Sequence, residues 1–446
     1  MSSSRKLRPF QEEAIRRTLA GNLYLAAKPG SGKTAVAVHV AHEMIYGRFT
    51  ARRALVVCPK RVVPQIAAEA VSWGLTELTF AEAMGQEPQR LAALDSEANV
   101  VVTSHEHFPW LVRQHGRHRT WEFDLVVYDE ASRLRKGGRQ GGVGWKAMNA
   151  IRKRTQTRFL LMSGSPRPGT AHELYAPVFL LDGGSRLGKT LAAFRAAYLE
   201  PNKVDRHSGR VFSWKLRQGM ESALYSRVAD LYYAVSPDLG LKFVEINRWI
   251  TLPPAVARQC DRMSRELVAD FFADEITATS HGVAAGKWHQ MIAGAVFNDE
   301  GGVTEVHDEG IQELREIIDE MDGEPLMVAY WYTHELERLQ REFPDAVDIT
   351  TEAGLEAAKR GEVKLALIHP GSAGHGINGL QFHFSAIAFY NLHWSYELYD
   401  QVIKRIVRDG QTETVRVFRI VADVRVLESL ENKRREQEAF YDFLTG

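Results

Sequence analysis

The sequence predicts an α/β protein made of two tandem, mostly parallel sheets flanked by helices. Three observations carry this expectation. The apolar run Leu23–Ala27 leads into a Gly/Pro/Ser loop, and apolar residues then recur at helical spacing, Val36, Val40 and Ile45. Further apolar runs at 54–58, 100–102, 125–128 and 159–162 each end in polar or charged residues. That is the habit of strands whose carboxyl ends face a ligand. From residue 325 a second rhythm begins, with "PLMVAY", "AVDIT", "VKLALIH", "SAIAFYN" and "VRVFRIV" separated by turns and helices, a spacing suited to parallel pairing.

At 446 residues the chain is too long for one typical core. Pro237 and Gly240 punctuate the middle, so the expected division is 1–238 and 239–446. The first part carries a mostly helical extension from 171 to 238. The second opens with a helical entry segment, and its sheet core spans 323–425. Within the entry segment, 241–252 read as a strand stopped by Pro253 and Pro254, 255–277 as a helix, and "KWHQMIAGAVF" as another helix.

Charged residues make up 25% and apolar residues 45% of the chain, a soluble globular balance. No apolar run reaches the roughly 18 residues that a membrane span needs. The start, "MSSSRKLRPF", has no apolar stretch behind its basic residues and does not read as a secretory signal. Cys58 and Cys260 are far apart and offer no metal spacing, which fits a reducing cytoplasm. Formal net charge is zero, so any nucleic acid contact must come from local basic patches.

The stretch 23–45 has the strand, tight loop and helix of a phosphate-binding loop. Pro29, Gly30, Ser31 and Gly32 form the expected nucleotide-binding loop, whose glycines let backbone N–H groups converge on phosphate oxygens, and the following helix adds its positive end. Lys33 is placed for the β- and γ-phosphates, and Thr34 offers a hydroxyl to a magnesium ion. ATP with Mg2+ is therefore the expected ligand pair. Upstream, Arg8 and Gln11 open a helix with Pro9 in its first turn. An amide can read an adenine edge with one donor and one acceptor; alone, a helix glutamine is usually solvated.

Asp129 and Glu130 follow the run 125–128. One carboxylate can hold magnesium through its water shell, which suits Asp129. The other can orient and deprotonate water, which suits Glu130. Lys60 and Arg61 end the run 54–58, and Ser104 ends the run at 100–102. The stretch 133–158 is basic and Gly-rich, with Arg133, Arg135, Lys136, Arg139 and Lys146. Such a loop can track a phosphate backbone without reading bases, or can be a solvated surface. "SGSP" at 163–166 closes the unit.

The second half shows no second Gly-x-Gly-Lys loop, which favours one nucleotide lying between two units. "HPGSAGHGINGLQ" at 369–381, with Ser372 and Gly374, can bring backbone N–H groups close to a nucleotide or nucleic acid. "YDQVIKRIVRDGQ" puts Arg405 and Arg408 three apart, expected on one helix face. An arginine brought to the phosphates neutralises charge on the transferred phosphoryl group.

In this order the motifs resemble those of superfamily 2 helicase-like ATPases of the SNF2 type, particularly the short forms of phages and prophages. "AAKPGSGKT" resembles motif I, "DEAS" a variant DEAD/DEAH box, and "SGSP" motif III. "PKRVVPQ" and "TSHEHF" resemble the segments between motifs I and II. "VAYWYTHELERL", "PGSAGHGINGLQ" and "QVIKRIVRDGQ" resemble motifs IV, V and VI. The last is the most specific, with Gln401, Arg405, Arg408, Gly410 and Gln411 in place. The resemblance implies two RecA-like lobes that hydrolyse ATP with magnesium while holding DNA, duplex or branched. It implies Gln11 as the adenine-reading glutamine and Arg405 and Arg408 as arginines delivered by the second lobe. It also implies a cytoplasmic protein of a bacterial or phage-infected cell. Lys404 departs from a frequent glycine, "SGSP" from the commoner "TGTP", and the large insertions of chromatin remodellers are missing. An RNA helicase and a nucleotide-gated clamp without turnover are the alternatives. Motif VI spacing argues against the first, and the intact Lys33, Asp129, Glu130, Arg405 and Arg408 against the second.

Overall fold

The computed structural model describes residues 6–27, 31–117, 120–135, 141–154, 156–164, 170–204, 211–235, 243–271, 274–373, 379–408 and 410–445. The chain divides into two compact units, 1–237 together with 433–446, and 238–432.

Unit 1 begins with α1 (Pro9–Ala20), β1 (Leu23–Ala27) and α2 (Lys33–His42). β2 (Ala54–Cys58), α3 (Val63–Ser72), β3 (Phe80–Glu82), α4 (Glu87–Asp95), β4 (Val100–Ser104) and α5 (Phe108–Arg117) follow. Then come β5 (Leu125–Tyr128), α6 (Val143–Arg154), β6 (Arg158–Ser163), α7 (Tyr175–Asp182) and α8 (Leu191–Tyr198). β7 (Leu199–Val204), β8 (Val211–Leu216), α9 (Glu221–Val228) and β9 (Tyr232–Val235) complete it. Seven strands form one sheet in the order β3-β4-β2-β5-β6-β1-β9, and every neighbouring pair is parallel.

Each apolar run is a strand because both of its faces are covered. Tyr24, Leu55, Val57, Val101, Val126, Tyr128, Phe159 and Leu161 face one core. Their alternate neighbours Leu23, Leu25, Val56, Val100, Val127, Leu160 and Met162 face another. A strand buried on both sides has no polar alternation, so it reads as a continuous hydrophobic run. The stretch 171–238 is less helical than expected. β7 and β8 form an antiparallel hairpin, and β9 extends the main sheet beside β1. Phe440, from the returning C-terminal segment, packs on Tyr225 and Tyr232 with ring centroids at 4.4 and 5.5 Å.

Unit 2 runs through β10 (Phe243–Trp249), α10 (Pro254–Glu266), β11 (Val268–Phe271), β12 (Asp274–Thr277), α11 (His281–Met291), β13 (Ala295–Phe297) and β14 (Val303–Glu305). It continues with α12 (Glu309–Glu320), β15 (Leu326–Ala329), α13 (Thr333–Glu342), β16 (Val347–Asp348), α14 (Glu352–Lys359) and β17 (Leu365–Ile368). α15 (Pro370–Ala373), β18 (Ala386–Phe389), α16 (Tyr396–Ile403), β19 (Val415–Val421) and α17 (Val424–Thr445) end it, the last turns of α17 counting with unit 1. The sheet order is β10-β19-β18-β15-β17-β16, again wholly parallel. Both units are thus α/β, each with one wholly parallel main sheet and flanking helices.

Three local expectations are corrected here. The sheet of unit 2 reaches back to β10, which pairs along its whole length with β19. The stretch 255–277 is not one helix. Leu267 adopts the left-handed region at φ +66, α10 stops before it, and β11 and β12 pair as a hairpin. "KWHQMIAGAVF" likewise splits into the end of α11 and β13.

Candidate functional site

The glycine-rich loop expected to bind phosphate follows the carboxyl end of β1. Pro29 and Gly30 lie outside the described residues; Ser31 to Thr34 lie within them. Gly32 has φ +92, and a Cβ there would come within 2.6 Å of the Gln11 amide nitrogen. Glycine takes that conformation without strain, whereas a side chain there would be strained and would press on Gln11. Gln11 is itself buried, 3% exposed. Its Nε2 donates to the Gly32 carbonyl at 3.0 Å, and its Oε1 accepts from the Arg8 backbone N–H at 2.8 Å. The glutamine expected to meet a base therefore braces the loop to the start of α1, keeping one N–H and one lone pair in reserve. Arg8 is exposed.

Lys33 begins α2 and donates from Nζ to the Ala27 carbonyl at 2.7 Å. Thr34 follows it, half-buried. The Ser31 hydroxyl is buried with no hydrogen-bond partner among the described residues.

The acidic pair leaves β5, whose neighbour β6 lies next to β1. Asp129 is pushed up in pKa by burial, against the pull of the Lys33 charge and of the Glu130 backbone N–H. Its Oδ1 is buried and has no hydrogen-bond partner among the described residues. A buried carboxylate oxygen without a donor is costly, and a cation or metal-bound water relieves that cost. Glu130 is 8% exposed and adopts φ +52. A non-glycine residue there is strained by about 1–2 kcal/mol, a feature concentrated at functional turns. Ser163, at the end of β6, is buried; Ser165 and Pro166 of "SGSP" lie outside the described residues.

On the same sheet edge, β2 sits between β4 and β5. Lys60 and Arg61 follow β2, and Arg133 and Arg135 follow β5; all four are exposed. Arg133 pairs with Glu106 at 3.6 Å. Ser104 does not join this surface. It is 1% exposed, and its hydroxyl lies 3.4 Å from both the backbone N and Nδ1 of His107, closing the turn after β4. Lys136 and Gly374 lie outside the described residues, and Ser372 stands in α15.

In unit 2, Arg405 and Arg408 do not share a helix face, because α16 ends at Ile403. Arg405 is 4% exposed, and its Nε donates to the Gln401 carbonyl at 3.3 Å. Arg408 is half-buried. Gln411 shapes the turn: its Nε2 donates to Phe384 O at 2.9 Å, and its Oε1 accepts from the N–H groups of Thr412 and Glu413, both at 3.0 Å. Gly410 holds φ +93.

One polar centre in unit 2 escaped the sequence. Glu335, on the first turn of α13, is fully buried. Its Oε2 accepts from Trp331 N at 2.6 Å and Tyr332 N at 3.3 Å, and its Oε1 accepts from Asn391 Nδ2 at 2.8 Å. Burial pushes its pKa up to about 7, partly offset by these donors and by Arg338. The capping pattern of a glutamate near a helix start was available in "YWYTHE"; its burial was not.

The glycine-rich loop follows β1 and the acidic pair follows β5, two strands away in the same parallel sheet. Residues 8–174 match the DEAD/DEAH box helicase family. Over 468 aligned residues it is 28% identical to protein p41 of Acyrthosiphon pisum secondary endosymbiont phage 1, covering 98% of this chain and 97% of that one. Among solved structures it is similar to the Sulfolobus solfataricus SWI2/SNF2 ATPase core in complex with dsDNA. That match has 17% identity and a TM-score of 0.44, over 99% of this chain and 94% of the other. Among the described residues no helix is long and apolar enough to cross a membrane.

Proposed function

We propose that this chain is a DNA-dependent ATPase motor of the SNF2 type, moving on or remodelling duplex or branched DNA. The observation that carries the reading is the buried Asp129 oxygen with no donor among the described residues, in the electrostatic reach of Lys33. Lys33, now donating to the Ala27 carbonyl, would exchange that acceptor for ATP phosphates, with the N–H groups of 30–34 around them. Asp129 and Thr34 would hold Mg2+, which supplies charge neutralisation at the phosphates. Glu130 orients the attacking water and takes its proton. Arg405 and Arg408 add positive charge as the phosphoryl group leaves. Gln11 holds the loop in register, and with Arg8 is the candidate contact for the base.

For the polymer, the exposed Lys60, Arg61, Arg133 and Arg135 meet a phosphate backbone, with Lys136, Ser372 and Gly374 as further candidates. Contacts of this kind give weak base dependence and a steep salt dependence. The SNF2 assignment rests on the motif VI residues Gln401, Arg405, Arg408, Gly410 and Gln411.

The test is single-turnover hydrolysis at saturating ATP and duplex. Glu130→Gln keeps ATP binding and loses about 10²-fold or more in rate, the scale of a lost acid–base group. Arg405→Ala and Arg408→Ala still bind ATP and hydrolyse poorly. Parent-like rates in all three variants would remove the proposed site.

A further inference from the structure

His105 stands one residue beyond β4 and has no role in the assignments above. It is 7% exposed. Its Nε2 lies 2.8 Å from the Asp129 carbonyl oxygen. A carbonyl only accepts, so Nε2 carries the proton and donates. Burial and the Arg133 charge push the ring's pKa down to about 4, so the imidazole is neutral. Its Nδ1 is buried with no hydrogen-bond partner among the described residues. The ring tilts against Tyr128 with centroids at 5.0 Å.

The bond falls on a particular peptide, the one joining Asp129 to Glu130. Its C=O is held by His105, and its N–H is drawn to the Asp129 carboxylate. Rotation of that plane is coupled to φ of Glu130, which sits at +52. A strained residue persists only where its surroundings over-determine it. Without the His105 donor, the plane loses one of its two holds and Glu130 can relax, carrying its carboxylate with it. The turn that bears His105 has a second tie to the same loop. Glu106 pairs with Arg133 across 3.6 Å, with both side chains well exposed, and Arg133 N donates to Glu130 O at 3.0 Å. An exposed pair of this kind is weak and readily exchanged, so a polymer phosphate can take Arg133 from Glu106.

We propose that His105 is a positioning residue for hydrolysis. By clamping the Asp129–Glu130 peptide it aims Glu130, and it ties that aim to the turn whose Glu106 holds a residue of the proposed DNA surface. This rests on the ATPase reading above.

Two replacements separate the hydrogen bond from ring packing. His105→Phe keeps an aromatic ring against Tyr128 and loses the donor; His105→Gln loses the ring and keeps an N–H at similar reach. The full chain is assayed for single-turnover rate at saturating ATP and duplex, for ATP KM, and for melting temperature. We expect the Phe variant to lose about tenfold or more in rate, as a misaimed group does, with ATP KM little changed. The Gln variant recovers most of the loss. If Phe performs as well as or better than Gln, the ring acts by packing and the proposal is overturned. Should the Phe variant melt far below the parent, His105→Met is a donor-free replacement, and the same order against Gln decides. A parent without turnover on any nucleic acid sinks the ATPase reading and this role with it, whereas an active parent with Phe equal to Gln sinks the role alone.

Discussion

Glu335→Gln tests the buried centre of unit 2 by the pH dependence of stability. Glu335 is raised from 4.5 to about 7, chiefly by burial. The folded chain therefore binds this proton more tightly than the unfolded chain does. At about 1.4 kcal/mol per tenfold change in affinity, the stabilisation reaches ~3 kcal/mol. It is fully present below about pH 4.5, declines as pH rises, and is gone above about pH 7. Nearby histidines act in the opposite sense. His289, His307 and His334 are each pushed down to about 4 by burial, so their contribution is lost as pH falls below 6.5. The parent's own stability curve mixes both effects. The difference between parent and Glu335→Gln cancels the histidines and isolates the glutamate. The variant also places an NH2 against one of three donors, a roughly pH-independent cost of about 1–3 kcal/mol. Urea midpoints from tryptophan fluorescence, taken between pH 4.5 and 8, should show the parent's advantage shrinking by ~3 kcal/mol as pH rises. A difference that stays flat across that range would refute the buried, proton-binding glutamate.

Two other outcomes are expected. Gly410→Ala should destabilise unit 2 by about 1–2 kcal/mol, because φ +93 costs an L-residue that much. Its close neighbour Phe382 is exposed and can swing aside, so a much larger loss of melting temperature would contradict the strain argument. Lys33→Ala should weaken ATP binding in calorimetry and leave nucleotide-free DNA binding intact, since the exposed basic residues are untouched; unchanged ATP affinity would remove Lys33 from the phosphates.

The sheets were legible because their strands are buried on both faces, so Leu23–Ala27 or Leu125–Tyr128 stand out as unbroken apolar runs. The turn after β1 was legible because Gly32 answers a local backbone need. Hairpins in helix-prone sequence were not. "LVADFFADEITAT" carries Ala, Glu and Leu, and only the left-handed turn at Leu267 and cross-strand pairing make it a hairpin. The end of α16 was also hidden, because the turn after it is set by Gln411 reaching Phe384 O, a contact 27 residues away in sequence. Within the candidate site, residue types were readable and their environments were not. Nothing local announces that Gln11 braces Gly32, that Ser104 faces inward, that Glu130 takes a left-handed backbone, or that His105 donates to Asp129. Each depends on elements brought together by the sheet order.

The most direct measurement is steady-state ATP turnover by the full chain with no nucleic acid, single-stranded DNA, duplex, forked DNA and RNA, repeated across a salt series. Turnover should rise on adding DNA, duplex should serve at least as well as single strand, and the stimulation should fade with salt as counterions compete for the basic surface. Stimulation by RNA and by none of the DNA forms would contradict the account.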